Sequence, residues 1–177
     1  DWQDQLMTGN GFTHNHTLSM SAGSERIRVM TSLGYLDQNG IIKNANFKRY
    51  NLRNNMDIRM NDRLNFRLDI AATYSRRAAN PYQSSVFGFM NSKDPLMLAQ
   101  WSDGSYAPFT GGTVNPLPMI EQGVGGNNIR QNGVLKASAA LEYKPVQWLT
   151  LEVKAAPQLT AVKTHRFVDL VEYHSDP

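Results

Sequence analysis

Cysteine is absent from all 177 residues. That excludes a disulfide framework, a thiolate nucleophile and a cysteine zinc site. It also fits an envelope protein that never has to manage oxidation. No apolar run approaches the roughly 20 residues of a membrane-spanning helix, and the mean hydropathy is −0.46. Charge is sparse and nearly balanced, with 18 Lys and Arg against 15 Asp and Glu. A net charge of +3 is too mild to argue for a nucleic-acid partner. Apolar residues make up 41% of the chain, low for a globular core but too many for disorder. By length and composition alone this is one soluble domain. Low hydropathy does not exclude a membrane barrel, however, whose strands alternate polar and apolar residues and give no hydropathy peak.

The ends also lack something. Asp1-Trp2-Gln3-Asp4 has neither an initiator Met nor a basic leader, and Ser175-Asp176-Pro177 closes a loop-like stretch. Both ends read as cuts within a longer chain.

What the sequence does have is period-2 alternation, the mark of a strand with two different faces. From Tyr50 to Met60, five of six even positions are apolar (Tyr50, Leu52, Met56, Ile58, Met60) and every odd position is polar. Leu64, Phe66, Leu68, Ile70, Ala72 and Tyr74 continue the pattern after Asn61-Asp62, a connection of hairpin type. Upstream, Leu18, Met20 and Ala22 precede a turn at Gly23-Ser24, and Ile27, Val29, Thr31, Leu33 and Tyr35 follow it. Downstream, Leu135 to Tyr143 and Leu149 to Ala155 flank a turn at Lys144–Gln147. These make six strands in an antiparallel up-and-down meander, an all-β fold. Most strands run about 9–13 residues, against about 5–6 for soluble strands and about 9–11 for tilted membrane strands.

The connections alternate strictly between short and long. Gly23-Ser24, Asn61-Asp62 and 144–147 are short; 37–46 and 76–132 are long. Outer-membrane barrels have short periplasmic turns and longer extracellular loops, whereas a soluble meander has no reason to segregate them. Tyr35, Tyr50, Tyr74, Tyr143 and Trp148 sit at strand ends, where barrels carry aromatic girdles. The simpler alternative is that Tyr is common in strands. The polar face of the central hairpin carries Arg53, Asn55, Asp57, Arg59, Arg67 and Asp69. In a barrel these face the lumen, and opposite signs can pair across the hairpin. In a soluble or surface-displayed β module, such as an adhesin, they face solvent, and the apolar face must then pack on a second sheet.

Several motifs, in order, resemble the start of the barrel in the SusC/RagA family of TonB-dependent outer-membrane transporters. They are Asp1-Trp2-Gln3-Asp4, His16 through Glu25 (HTLSMSAGSE), Ser32 through Lys43 (SLGYLDQNGIIK) and Phe47 through Arg53 (FKRYNLR). Asp103-Gly104-Ser105-Tyr106 and Asn115-Pro116-Leu117 match loop features of the same family. The resemblance covers most of residues 1–155. Ala22 stands where a Gly is usual, and Asn54-Asn55 replaces a single Asn. The resemblance implies a 22-stranded barrel in the Gram-negative outer membrane, importing glycans or oligopeptides with energy passed by TonB. It implies a SusD-like surface lipoprotein as partner. The expected division is a lead-in at 1–13, four strands over 14–75, an extracellular loop at 76–132, and two further strands with the start of the next loop over 133–177.

Candidate chemistry is thin. His14 and His16 share one strand face but lack a third ligand, so a polar role is the stronger reading and no metal is expected. Asp37-Gln38-Asn39-Gly40 begins like a calcium loop, but Lys48 stands where the bidentate Glu is needed. Gly123-Val124-Gly125-Gly126 is too short for a phosphate cradle. No catalytic set stands out, so neither an enzyme nor a cofactor is expected. The 76–132 loop holds Tyr82, Phe87, Phe89, Trp101, Tyr106 and Phe109 with Asp94 and Asp103. Rings beside acids suit sugar stacking and hydroxyl bonding, with Trp101, Tyr106 and Asp103 the candidates for substrate contact. The alternative is that these rings pack the loop onto itself or onto the lid protein. Asn115 before Pro116 is placed to cap a short helix through Met119-Ile120-Glu121.

Overall fold

The computed structural model describes residues 1–92, 94, 96–108, 114–121 and 124–175. Chain order is α1 (Trp2–Leu6), β1 (Phe12–Gly23), β2 (Ile27–Asn39), β3 (Asn46–Asn61), β4 (Leu64–Ala79), α2 (Gln83–Asn91), α3 (Leu117–Ile120), β5 (Asn127–Val146), β6 (Leu149–Ala155) and β7 (Gln158–Phe167). All the strands belong to one antiparallel sheet in which β1 to β6 follow sequence order. No described helix is long and apolar enough to cross a membrane, which says nothing about crossing by strands.

The strands are longer than alternation alone indicates, from 12 to 20 residues for β1 to β5. The short connections move accordingly, to 24–26, 62–63 and 147–148, and the long ones contract to 40–45 and 80–126. Pairing continues through residues whose side chains no longer alternate, because ladder hydrogen bonds need only backbone groups.

β6 and β7 are one strand position with a break at Pro157. The register is unbroken across it: Ala139 faces Ala155 and Lys136 faces Gln158. Proline has no N–H to give the ladder, but its carbonyl still accepts from the amide of Ala137, at 3.0 Å. Six strand positions therefore stand side by side, as the sequence indicates. The segment 158–167 does not read as strand in the sequence, because Pro157 looks like a stop and Val162 and Lys163 invert the alternation.

The buried core is small and lies off the sheet, at the end bearing the long connections. Trp2 and Leu6 of α1, Ile42 of the 40–45 connection, Val86 and Met90 of α2, Ala99 and Ile120 form it. The lead-in segment is thus clamped under the long loop: Met7 bridges Ile42, and the Trp2 indole N–H donates to the Asp94 carbonyl at 3.1 Å. Asn44, at φ 61°, reaches Ile120 O at 2.7 Å and ties the shorter connection to the longer one. Gly126, at φ 91°, returns the chain to β5 where a Cβ would run into the backbone of Phe167.

Candidate functional site

Pairing registers turn the alternation into rows that run across the sheet. One row reads Leu18, Leu33, Leu52, Ala72, Leu135, Leu159. Another, near the short turns, reads Ile27, Ile58, Phe66, Leu141, Val153. The last reads Leu64, Tyr143, Leu151. At the opposite margin stand His16, Tyr35, Tyr50 and Tyr74. Their rings form a continuous line, with centroids 5.1 Å apart for Tyr35–Tyr50 and 6.4 Å for Tyr50–Tyr74. From the Leu64 row to the Tyr74 row this face carries no Asp, Glu, Lys or Arg. The band is about 33 Å along β4 at about 3.3 Å per residue. At a barrel tilt of about 40° that becomes about 25 Å, the height of an outer-membrane apolar belt.

No second sheet covers this face among the described residues. Leu18, Met20, Val153 and Leu159 are all more than two-thirds exposed. The soluble-module alternative needed that cover. Between the tyrosine and leucine rows lies a trough of about 1050 Å³, lined by Tyr35, Tyr50, Leu52 and Leu135 among others.

The other face gathers the polar candidates. Asn55 faces Asp69 and donates its amide hydrogen to the carboxylate. Asp57 faces Arg67, and Arg59 faces Asn65. The expected Asp–Arg pairing across the hairpin does not form: Arg67 instead reaches Glu152, at 3.3 Å, passing over Ala140. The small Ala140 side chain leaves the guanidinium room to cross. Arg53 lies between Ser32 and Ala71, opposite no charge. Glu142 accepts from Asn65 at 3.2 Å and pairs with Lys144 at 3.0 Å.

The loop candidates come together on one small hairpin, where Gln100 bridges Tyr106 and Asp103-Gly104 turns the chain. Their polar atoms are engaged within the protein. The Trp101 indole N–H donates to His174 O at 2.7 Å, and the Tyr106 hydroxyl donates to Glu121. Asp103 accepts from the Ser105 hydroxyl at 2.7 Å and amide at 2.9 Å, which holds its carboxyl below the usual range. Burial, and then Glu121, pushes the Tyr106 phenol up to about 12. Asn115 is fully buried beneath the hairpin and donates to Ala99 O at 2.7 Å and Ala107 O at 3.0 Å. Its Oδ1 accepts from the amide of Leu117, the first residue of α3, at 3.0 Å, although the N-cap position itself falls on Pro116, which has no side-chain bond to give. Sequence reasoning did not find the hub role of Asn115, since nothing local marks a buried amide. Phe109 and Gly123 lie outside the described residues. Among the described residues no group of three metal-ligating side chains forms. His14 stands beside His16, with ring centroids 5.5 Å apart, and 3.8 Å from Asp37.

A single antiparallel sheet of long strands, apolar on one face and polar on the other, with both long connections at one end, is the class of structure these rows define. No family model matches the chain. Comparison with characterised proteins finds TonB-dependent receptor P26 of Formosa agariphila, 28% identical over 94% of this chain. TonB-dependent receptor SusC of Bacteroides thetaiotaomicron is 40% identical over 28% of it. Among solved structures the RagAB peptide transporter superposes on 93% of the chain with a TM-score of 0.67 at 22% identity, a likeness of fold. The chain spans 17%, 5% and 19% of these three proteins respectively. In sequence and in fold it resembles the SusC/RagA family of TonB-dependent outer-membrane transporters.

Proposed function

We propose that this chain forms part of the barrel wall, and one large extracellular loop, of a TonB-dependent outer-membrane importer of glycans or oligopeptides. The observation that carries the reading is the uncharged apolar band about 25 Å high, closed by a tyrosine row toward the long loops. The sheet's two open edges, β1 on one side and β6 with β7 on the other, support it. Unpaired edges of this length invite aggregation unless further strands pair them, as a closed barrel does.

In this reading Arg53, Asn55, Asp57, Arg59, Arg67 and Asp69 line the lumen. The division is a lead-in at 1–13, four strands over 14–75, the extracellular loop at 76–132 and the remaining wall over 133–177. Trp101 and Tyr106 touch cargo through their ring faces, since their donors are already used, and Asp103 through its remaining lone pairs. A SusD-like surface lipoprotein closes over the loop end, and the TonB contact lies outside this chain. Likeness of fold to the RagAB peptide transporter favours peptide cargo, and the loop rings beside acids favour glycan cargo.

The test is uptake. Cells producing the intact receptor should accumulate a labelled glycan or oligopeptide, and deleting TonB should abolish the accumulation. Accumulation that persists without TonB, or a receptor that takes up neither class, would overturn the reading.

A further inference from the structure

Directly beyond the tyrosine row, on the same face and toward the long loops, lies a row of different character. It reads His14, Asp37, Lys48, Arg76, Gln131, Lys163. Three cations stand here against one carboxylate, next to a band with no charge at all. The carboxylate is already satisfied on one oxygen: Asp37 Oδ2 accepts from the Tyr35 hydroxyl at 2.8 Å and pairs with Lys48 at 3.1 Å. His14 approaches the same oxygen at 3.8 Å. Among the described residues, Arg76 and Lys163 pair with no carboxylate. The residues one step further out on this face, Asn39, Asn46, Ala78, Ile129 and His165, add no acid.

Such a row does not suit the lumen or the hydrocarbon. Cations set at the edge of an apolar face, above amphipathic rings, meet the headgroup layer and attract anionic lipid. Arg and Lys bind phosphate oxygens strongly, Arg in a fork and Lys as a point charge. Gln131 sits between Arg76 and Lys163 and adds a neutral donor. Below them the trough bordered by Tyr50, Leu52, Tyr74 and Leu135 offers an apolar floor for an acyl chain.

We propose that Lys48, Arg76 and Lys163 form a binding belt for the phosphate groups of a phosphorylated glycolipid in the outer leaflet, with its acyl chain against the tyrosine and leucine rows. This rests on the barrel reading above and adds to it a specific lipid partner and a fixed depth in the membrane.

The test uses the intact receptor in detergent, titrated with lipid A and read by native mass spectrometry. Replacing Lys48, Arg76 and Lys163 together by Ala should lower the bound lipid roughly tenfold or more. Replacing Arg26, Arg63 and Lys144, at the short-turn end, should leave it unchanged. The charge-preserving set Lys48→Arg, Arg76→Lys and Lys163→Arg should restore binding, which separates loss of charge from loss of fold. Equal binding by the alanine variant, or an equal fall in both alanine sets, would overturn the belt. Displacement of the lipid by millimolar-range inorganic phosphate would overturn the commitment to lipid, since the row would then recognise phosphate alone. A separate arm places Cys at Leu52 and at Ile70 and reads quenching of an attached fluorophore by brominated lipid. Absence of quenching there sinks the barrel reading itself, whatever the lipid titration shows.

Discussion

The side-chain amide of Asn115 uses both ends: its nitrogen donates to Ala99 O and Ala107 O, and its oxygen accepts from Leu117 N. Asn115→Ala leaves Ala107 O without its donor and the Leu117 amide without its acceptor, while Ala99 O keeps the Ala107 amide at 3.2 Å; the cost is about 1–3 kcal/mol. Asn115→Asp keeps the shape and the acceptor but loses the donor, so it should fail in the same way. Hydrogen exchange across 99–107 should quicken in both variants; unchanged protection would mean the hairpin stands without the hub. Asp103 gives the pH dependence at this scale. Its carboxyl is held below the usual range by Ser105. The turn is therefore fully supported above the ordinary carboxylate pKa and loses support as pH falls through the depressed value. Exchange of the Ser105 amide, followed from neutral pH downward and corrected for intrinsic rates, should rise only below the ordinary range. Asp103→Asn, which cannot titrate, should flatten that profile.

Each strand carries two chemistries, and β4 and β5 show the consequence side by side. Leu68 lies near mid-height of the apolar band, between Met56 and Ala139. On the proposed barrel reading, Leu68→Arg should cost about 2–4 kcal/mol, the penalty for a cation at the bilayer midplane on the lipid face. Ser138 lies on the opposite face beside Asp69. Ser138→Arg at nearly the same depth should cost little, since it gains a carboxylate neighbour and stays wet. Unfolding of the receptor from lipid vesicles by urea measures both. Equal costs would show that the two faces do not differ in solvent. The break at Pro157 belongs here too. Proline is tolerated inside the long last strand because only one ladder hydrogen bond is lost and the carbonyl of Pro157 still accepts from Ala137.

At the scale of the assembled sheet, the chain places its buried core outside the strands, under the long loop. It leaves the widest apolar surface bare. A water-soluble fold does the reverse, because the hydrophobic effect drives the largest apolar face inward. These 177 residues contribute no thiol of their own, so once any cysteine elsewhere in the intact protein is replaced, each introduced thiol is the only one read. If the barrel reading holds, single Cys substitutions along β3 should alternate in the intact protein. Thiols at Leu52, Met56 and Ile58 should resist a membrane-impermeant maleimide, and those at Arg53, Asn55 and Asp57 should react. Uniform reactivity would mean that water bathes both faces.

Alternation, strand number and the loop asymmetry were legible in the residues from Leu18 to Ala155, because a strand's period of two is local and survives any surroundings. The contact of Asn115 with the start of α3 was legible too, but the tyrosines read as strand ends lie four or five residues inside β2, β3 and β4, because the ladder continues past them. The order of motifs carried the family resemblance. What the local pattern could not decide was register. Only pairing aligns Tyr35 with Tyr50 and Tyr74, and Asp37 with Lys48 and Arg76, into rows across strands far apart in sequence. Nor could it say that Arg67 passes over Ala140 to Glu152, that Trp2 packs beneath the long loop, or that Pro157 interrupts a strand without ending it. These are contacts between residues dozens of positions apart, made by backbone hydrogen bonds that carry no side-chain signature. The chain's own chemistry marked which faces are apolar and which polar; the tertiary structure decided that the apolar faces join into one continuous band with a charged row at its edge.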